Sequence, residues 1–243
     1  MLTLKKIQPI YFALDFENAE TALSFLDKND LSGIPVKVGM ELYYREGPRI
    51  IEQLKSRGHD IFLDLKLHDI PETVRRSMRN LAKLDVDVIN VHAQGGGDMI
   101  KAAKRGLEEG ASDEVPVLLA VTMLTSTDQK MLEQDLLLKE SLINVVHHYS
   151  KLAEINGADG VVCSVEEAAM IKQQTRLLAL TPGIREKNGG RQDQKRVATP
   201  VEALEKGSDS IVVGRAIRDA EDPQATYTKM KEAFTYGQQT THS

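Results

Sequence analysis

Eight short apolar runs, rich in β-branched residues and each followed by a more polar stretch, constrain this chain of 243 residues more than any other feature. They lie at 10–16, 35–40, 60–67, 86–93, 115–124, 160–164, 177–183 and 210–217. Between them, segments such as AETALSFLDKN, PETVRRSMRNLAKL, GDMIKAAKRGLEEG and SLINVVHHYSKLAEING carry apolar residues three and four apart, the helical spacing. Pro71 suits the first turn of its helix, and glycines at 110, 157 and 207 punctuate helix ends. Strands alternating with helices imply right-handed parallel crossovers, and eight such units are the number that closes a (β/α)8 barrel. The expected architecture is therefore a TIM barrel, one domain over residues 1–243. A doubly wound open sheet is the alternative, although no G-x-G-x-x-G follows the first run, which weighs against its dinucleotide-binding form.

No Pro/Gly/Ser-rich linker or compositional break marks a second domain. Two segments are irregular: 125–138, and 185–196 with its paired glycines and surplus of positive charge. The second follows the seventh run, where a barrel places its active-site loops, and is a candidate lid. A net charge of −5 offers no basic footprint for nucleic acid, so any role for the basic residues is local. The single cysteine, Cys163, excludes an internal disulfide and reads as a buried core thiol. No signal-peptide pattern opens the chain and no run of 18 apolar residues occurs, so a cytoplasmic protein without a membrane partner is expected.

The stretch FLDLKLHDIP (62–71) concentrates charge where a buried strand should lie. Side chains two apart share a face, so Phe62, Asp64 and Lys66 point one way and Leu63, Leu65 and Leu67 the other. With the leucines against the helices, Asp64 and Lys66 face the barrel axis near its C-terminal mouth. Asp15 at the end of the first run, Lys37 on the second and His92 at the end of the fourth recur at the same level. Charges so placed must be paired or hydrogen-bonded, which an alternating array of Lys37, Asp64, Lys66 and Asp69 would achieve. His92 reads as a hydrogen-bonding group at the base of the site. With Asp64 it could also form part of a metal site, as in a magnesium-dependent sugar-phosphate enzyme.

Late in the chain, TPGIR ends the seventh run and VVGRAI the eighth. The loops after strands seven and eight commonly form a phosphate site in this fold; Gly214 permits close backbone approach and Arg215 offers a fork for phosphate oxygens. A phosphorylated small substrate is expected.

Taken together, ALDF, VKVGMEL, FLDLKLHDIP, VHA, VTMLTST, TPGIR and IVVGRAI resemble, in order and spacing, the bacterial orotidine 5′-phosphate decarboxylases. The D-x-K-x-x-D element alone is shared with sugar-phosphate decarboxylases and aldolases of the same barrel superfamily. The resemblance implies decarboxylation of orotidine monophosphate to uridine monophosphate without metal or cofactor, in a homodimer whose sites lie at the interface. It further implies Lys66 as proton donor, flanked by Asp64 and by Asp69 from the neighbouring subunit, with Lys37 completing the array. Asp15 and Lys37 would hold ribose hydroxyls and Thr125 the pyrimidine. Ile70 and Thr73 would enter the neighbour's site, and Arg185, Gln194, Gly214 and Arg215 would surround the phosphate. Two rivals are a metal-assisted sugar-phosphate decarboxylase or aldolase and a catalytically silent phosphate-binding protein.

Overall fold

All eight apolar runs become strands of one closed parallel barrel in the computed structural model, which describes residues 2–185 and 197–237. The strands are β1 (Ile10–Ala13), β2 (Val36–Gly39), β3 (Ile61–Leu67), β4 (Val88–His92), β5 (Val117–Val121), β6 (Gly160–Val162), β7 (Leu178–Thr181) and β8 (Ser210–Val213). Each pairs with the next, and β8 closes onto β1 through Ile211–Ile10, Val212–Tyr11 and Val213–Phe12. Alternation decides which side chains go where. Tyr11, Phe62, Val88, Val117, Leu119 and Leu180 meet inside the barrel, while Ile10, Phe12, Leu63, Ile89 and Val91 pack outward into the layer shared with the helices.

The boundaries differ from the sequence reading in instructive ways. The first strand stops at Ala13, so Asp15 stands beyond it rather than at its end, although Leu14 N–H still bonds Lys37 O at 2.9 Å. The run at 115–124 divides: Glu114–Val115 leaves the barrel to pair in parallel with Thr3–Leu4, and Pro116, which has no N–H for a ladder, marks the break. The segment 125–138, expected to be irregular, contains a helix at Gln129–Gln134 whose first turn is capped by Asp128 accepting from Met131 N–H at 2.9 Å. Gly157 and Gly207 do end helices, with φ of 86° and 84°. Gly110 instead belongs to the helix Gly97–Gly110. A methyl group at Gly106 or Gly110 would collide with the backbone carbonyls of Arg75 and Arg79 on the helix Pro71–Ala82, so the two glycines let these helices lie unusually close.

At the N-terminal end of the barrel one motif is built three times. Asp87, Asp159 and Asp209, each just before an even-numbered strand, donate N–H to the carbonyls of Ile61, Leu118 and Ala179 at 2.9, 2.9 and 2.8 Å. In return each carboxylate accepts the N–H of that same residue, at 2.6, 2.8 and 2.7 Å. A lysine completes each ring: Lys5 and Lys55 on Asp87, Lys104 on Asp159, Lys172 on Asp209. Two residues before each aspartate the chain turns through positive φ, at Asp85, Gly157 and Gly207. Each of these three carboxylates is tied to backbone as well as to an opposite charge, which satisfies polar groups that would otherwise be costly beneath a packed barrel.

Candidate active site

The C-terminal ends of the strands surround a cavity of about 360 Å³. Charge enters it from the first three strands. Lys37, 9% exposed on β2, holds Asp15 Oδ1 at 3.3 Å and Asp64 Oδ2 at 3.4 Å. The other oxygen of Asp64 takes the ammonium of Lys66 at 2.6 Å. The result is a continuous chain Asp15, Lys37, Asp64, Lys66 along one wall. Burial by itself would lower the pKa of Lys37, but attraction from Asp64 and then Asp15 outweighs it and raises the pKa above the ordinary lysine value. Burial likewise opposes ionisation of Asp64, yet Lys37, Lys66 and the hydrogen bonds it accepts keep its pKa below the usual carboxylate value. Lys37 and Asp64 are thus both held in their charged forms in a site partly withdrawn from water.

Lys66 reaches this position through a local irregularity. Between Leu63, opposite Ile89, and Leu67, opposite Val91, β3 carries two more residues than β4, and within that bulge Lys66 adopts φ of 52°. For a residue with a side chain, that conformation costs on the order of 1–3 kcal/mol and persists only where its surroundings enforce it. Because the excess is two residues, the face is unchanged and Asp64 and Lys66 still point inward. Asn90 on β4, fully buried, accepts from Lys66 N–H at 2.8 Å and donates to Asp64 Oδ1 at 2.7 Å. Sequence reasoning passed over Asn90. Its signal was an amide at the inward position between Val88 and His92 in an otherwise apolar strand.

The last two strands add cations to the lining. Arg185 follows β7 and Arg215 opens the short helix after Gly214, both lining the cavity. Asp219 lies below its ordinary pKa chiefly through its bond with Arg218, with additional attraction from Arg215 and Arg185. Beside these charged groups, Val121, Met123, Val162, Leu180 and Pro182 form an apolar surface suited to a flat ring, and Thr125 with Ser126 stands at its rim. Cys163 is buried, as expected of a core thiol, yet it also contributes to this wall.

Of the residues singled out from sequence, the cavity gathers Asp15, Lys37, Asp64, Lys66, Thr125, Arg185, Gly214 and Arg215. Asp69, Ile70 and Thr73 do not line it. They stand exposed on the turn and first helical residues after β3, with Ile70 67% exposed and Asp69 accepting only from Ile70 N–H, at 2.7 Å, among its described contacts. Gln194 and the proposed lid beyond Arg185 lie outside the described residues. His92 is not at the base of the cavity; its ring packs beside that of His68, centroids 5.8 Å apart. Burial first, then the neighbouring His68 and Lys66, lowers the pKa of His92. Among the described residues no group of three or more His, Cys, Asp or Glu side chains is arranged to hold a metal ion, and no helix is long and apolar enough to cross a membrane.

The profile of the orotidine 5′-phosphate decarboxylase / HUMPS family matches residues 8–230. An orotidine 5′-phosphate decarboxylase of Geobacillus thermodenitrificans is 48% identical over 236 residues, covering 95% of this chain and 98% of the relative. One from Bacillus licheniformis is 50% identical over 226 residues, covering 91% and 95%. Among solved structures, orotidine 5′-phosphate decarboxylase from Lactobacillus acidophilus superposes with a TM-score of 0.84 at 42% identity, covering 94% of this chain and all of that one. The enzyme of the same name from Pyrococcus horikoshii gives 0.72 at 25% identity, covering 93% and 98%.

Proposed function

The chain belongs to the orotidine 5′-phosphate decarboxylase / HUMPS family, and on that premise we propose that it is a carbon–carbon lyase converting orotidine 5′-monophosphate to uridine 5′-monophosphate and carbon dioxide in pyrimidine nucleotide synthesis. The observation that carries this reading is the Lys66 ammonium, fixed 2.6 Å from Asp64 in a cavity that Arg185 and Arg215 also line. Loss of carbon dioxide from C6 of the pyrimidine leaves an electron pair that no neighbouring carbonyl can take up as an enolate. A fixed positive charge beside that carbon lowers the barrier, and a preorganised one in a water-poor site does so strongly. Lys66 supplies the charge and then donates a proton to C6. Asp64 keeps Lys66 aimed, and Lys37 balances Asp64. The chemistry needs no metal or organic cofactor.

The remaining residues take the rest of the nucleotide. Asp15 and Lys37 hold the ribose hydroxyls and Thr125 faces the base. Arg185, Gly214, Arg215 and, as the resemblance implies, Gln194 receive the phosphate, whose binding energy is realised in the transition state. Asp69, Ile70 and Thr73 serve the site of a second copy in a homodimer, a reading supported by their exposure on the turn and helix start after β3. The protein acts in the cytoplasm, with neither nucleic acid nor membrane as partner.

A spectrophotometric assay with orotidine 5′-monophosphate, with and without a chelator, tests the proposal. The absorbance change that accompanies decarboxylation should be equal in both. Activity that returns only with magnesium, or no activity at all, would move the function to a sugar-phosphate substrate.

A further inference from the structure

Asn90 makes two hydrogen bonds, and both go to β3. Its orientation is fixed by its partners: the carboxylate of Asp64 can only accept and the backbone N–H of Lys66 can only donate, so Nδ2 meets Asp64 Oδ1 at 2.7 Å and Oδ1 meets Lys66 N at 2.8 Å. The Asp64 oxygen that takes Nδ2 also takes the Lys66 ammonium, at 2.6 Å. One amide thereby grips the Asp64–Lys66 pair at the carboxylate and at the lysine's backbone. The bulge makes this necessary. With Leu63 opposite Ile89 and Leu67 opposite Val91, Asp64, Leu65 and Lys66 all lie against Asn90 alone. A regular strand would offer Lys66 N–H a backbone carbonyl; here the carbonyl of the Asn90 side chain takes that place, in a position with no access to water.

We propose that Asn90 is a positioning residue for the decarboxylation, setting the φ of 52° at Lys66 and the direction of its ammonium. The effect on rate rests on the function proposed above; the geometric part does not. No other side chain of this size does both tasks. An aspartate has the shape but, ionised, has no hydrogen to give Asp64 and sets a second carboxylate against it. Leucine or valine would suit the strand but leave Lys66 N–H without an acceptor. Glutamine would press an extra methylene into a filled interior.

Two variants test the idea, each by kinetics and by crystal structure. Asn90→Asp keeps the volume and the acceptor for Lys66 N–H, and Asn90→Ala removes both bonds. In each, kcat should fall by about a hundredfold or more, the scale of an ångström-sized misplacement. KM should stay within about threefold, because the groups that hold ribose and phosphate are untouched. The crystal structures should show the Lys66 ammonium displaced from Asp64 while the barrel is unchanged. If Asn90→Ala does not fold, the isosteric Asn90→Asp decides. Values of kcat within about threefold of the native enzyme, or Lys66 retaining both its φ and its contact with Asp64, would overturn the proposal. Failure of both variants to fold would overturn it as well, reducing Asn90 to a structural residue. Should the native protein not act on orotidine 5′-monophosphate, the functional reading fails while the crystal structures still decide whether Asn90 positions Lys66.

Discussion

At the N-terminal end of the barrel, Asp87, Asp159 and Asp209 each face a lysine and also accept a backbone N–H, so each charge is locked into the ladder that forms the sheet. At the C-terminal end, Asp15, Lys37, Asp64 and Lys66 answer mainly to one another, and Asn90 on β4 ties Asp64 and the Lys66 N–H to a further strand. Both ends contain carboxylates and ammonium groups at similar distances. The difference lies in what else holds them. Charges anchored to backbone stabilise a fold and have little left to offer a ligand. Charges balanced only against other side chains can be rebalanced when a charged substrate arrives, and their removal should be felt in chemistry before it is felt in folding.

The sharpest separation of the two ends comes from Lys66→Ala. Decarboxylation should drop by at least about a thousandfold, since stabilising charge and proton donor leave together, while the thermal midpoint changes little. A variant retaining a tenth of native kcat would remove the distinction. Next in size is a test of whether the C-terminal end is complete in one chain. Lys66→Ala and Asp69→Ala homodimers should each be nearly inactive, but after mixed refolding random pairing gives dimers with one wholly native site, and activity should recover to about a quarter per site. Mixed dimers confirmed by mass yet inactive would place Asp69 in its own chain's site.

Much of this contrast could be read in the sequence, but unevenly. Apolar, β-branched runs located all eight barrel strands, and period-two alternation turned Asp64 and Lys66 inward, because a slip of two residues at the bulge leaves the face unchanged. The bulge itself had no marker: glycine would announce a positive φ, and lysine does not. Asn90 was visible only as a polar residue on an inward position, and its partners are 24 and 26 residues away on another strand. The threefold aspartate ring escaped because its shared pattern is only a turn residue, a spacer and an aspartate before a strand. The exposure of Asp69, Ile70 and Thr73 follows from where β3 ends and the helix at Pro71 begins, which the proline did signal.

At the other end, Asp209→Ala should leave kcat per folded molecule unchanged and lower the unfolding free energy by about 2 kcal/mol, the scale for orphaning the buried Ala179 N–H. Asp209→Asn, which keeps an acceptor for that N–H and loses only the partly exposed pair with Lys172, should cost less than about 1 kcal/mol. Equal losses in urea denaturation would mean that the ion pair, not the backbone bond, does the anchoring. The smallest effect is one of pH, and it touches both ends. His92 near the site and His59 below the barrel, whose Nδ1 lies 2.7 Å from Ile34 O, both have pKa values lowered from 6.5, in each case first by burial. Such groups bind more protons unfolded than folded, so stability should be complete above pH 6.5 and decline gently as the pH falls below it. Replacing either histidine by glutamine should flatten part of that slope. An unchanged slope in both variants would assign it to other groups.

The seam formed by Gly106 and Gly110 has a mechanical consequence. With no side chains to act as a cushion, the helices Pro71–Ala82 and Gly97–Gly110 behave as a single strut rather than two rods. Asp69 and Ile70 sit at its tip, like a bracket bolted to a beam, and in the proposed homodimer their reach would be set by how stiffly that beam is braced. A single methyl added at Gly106, buried in the joint and touching no site residue, would pry the brace open and swing the tip.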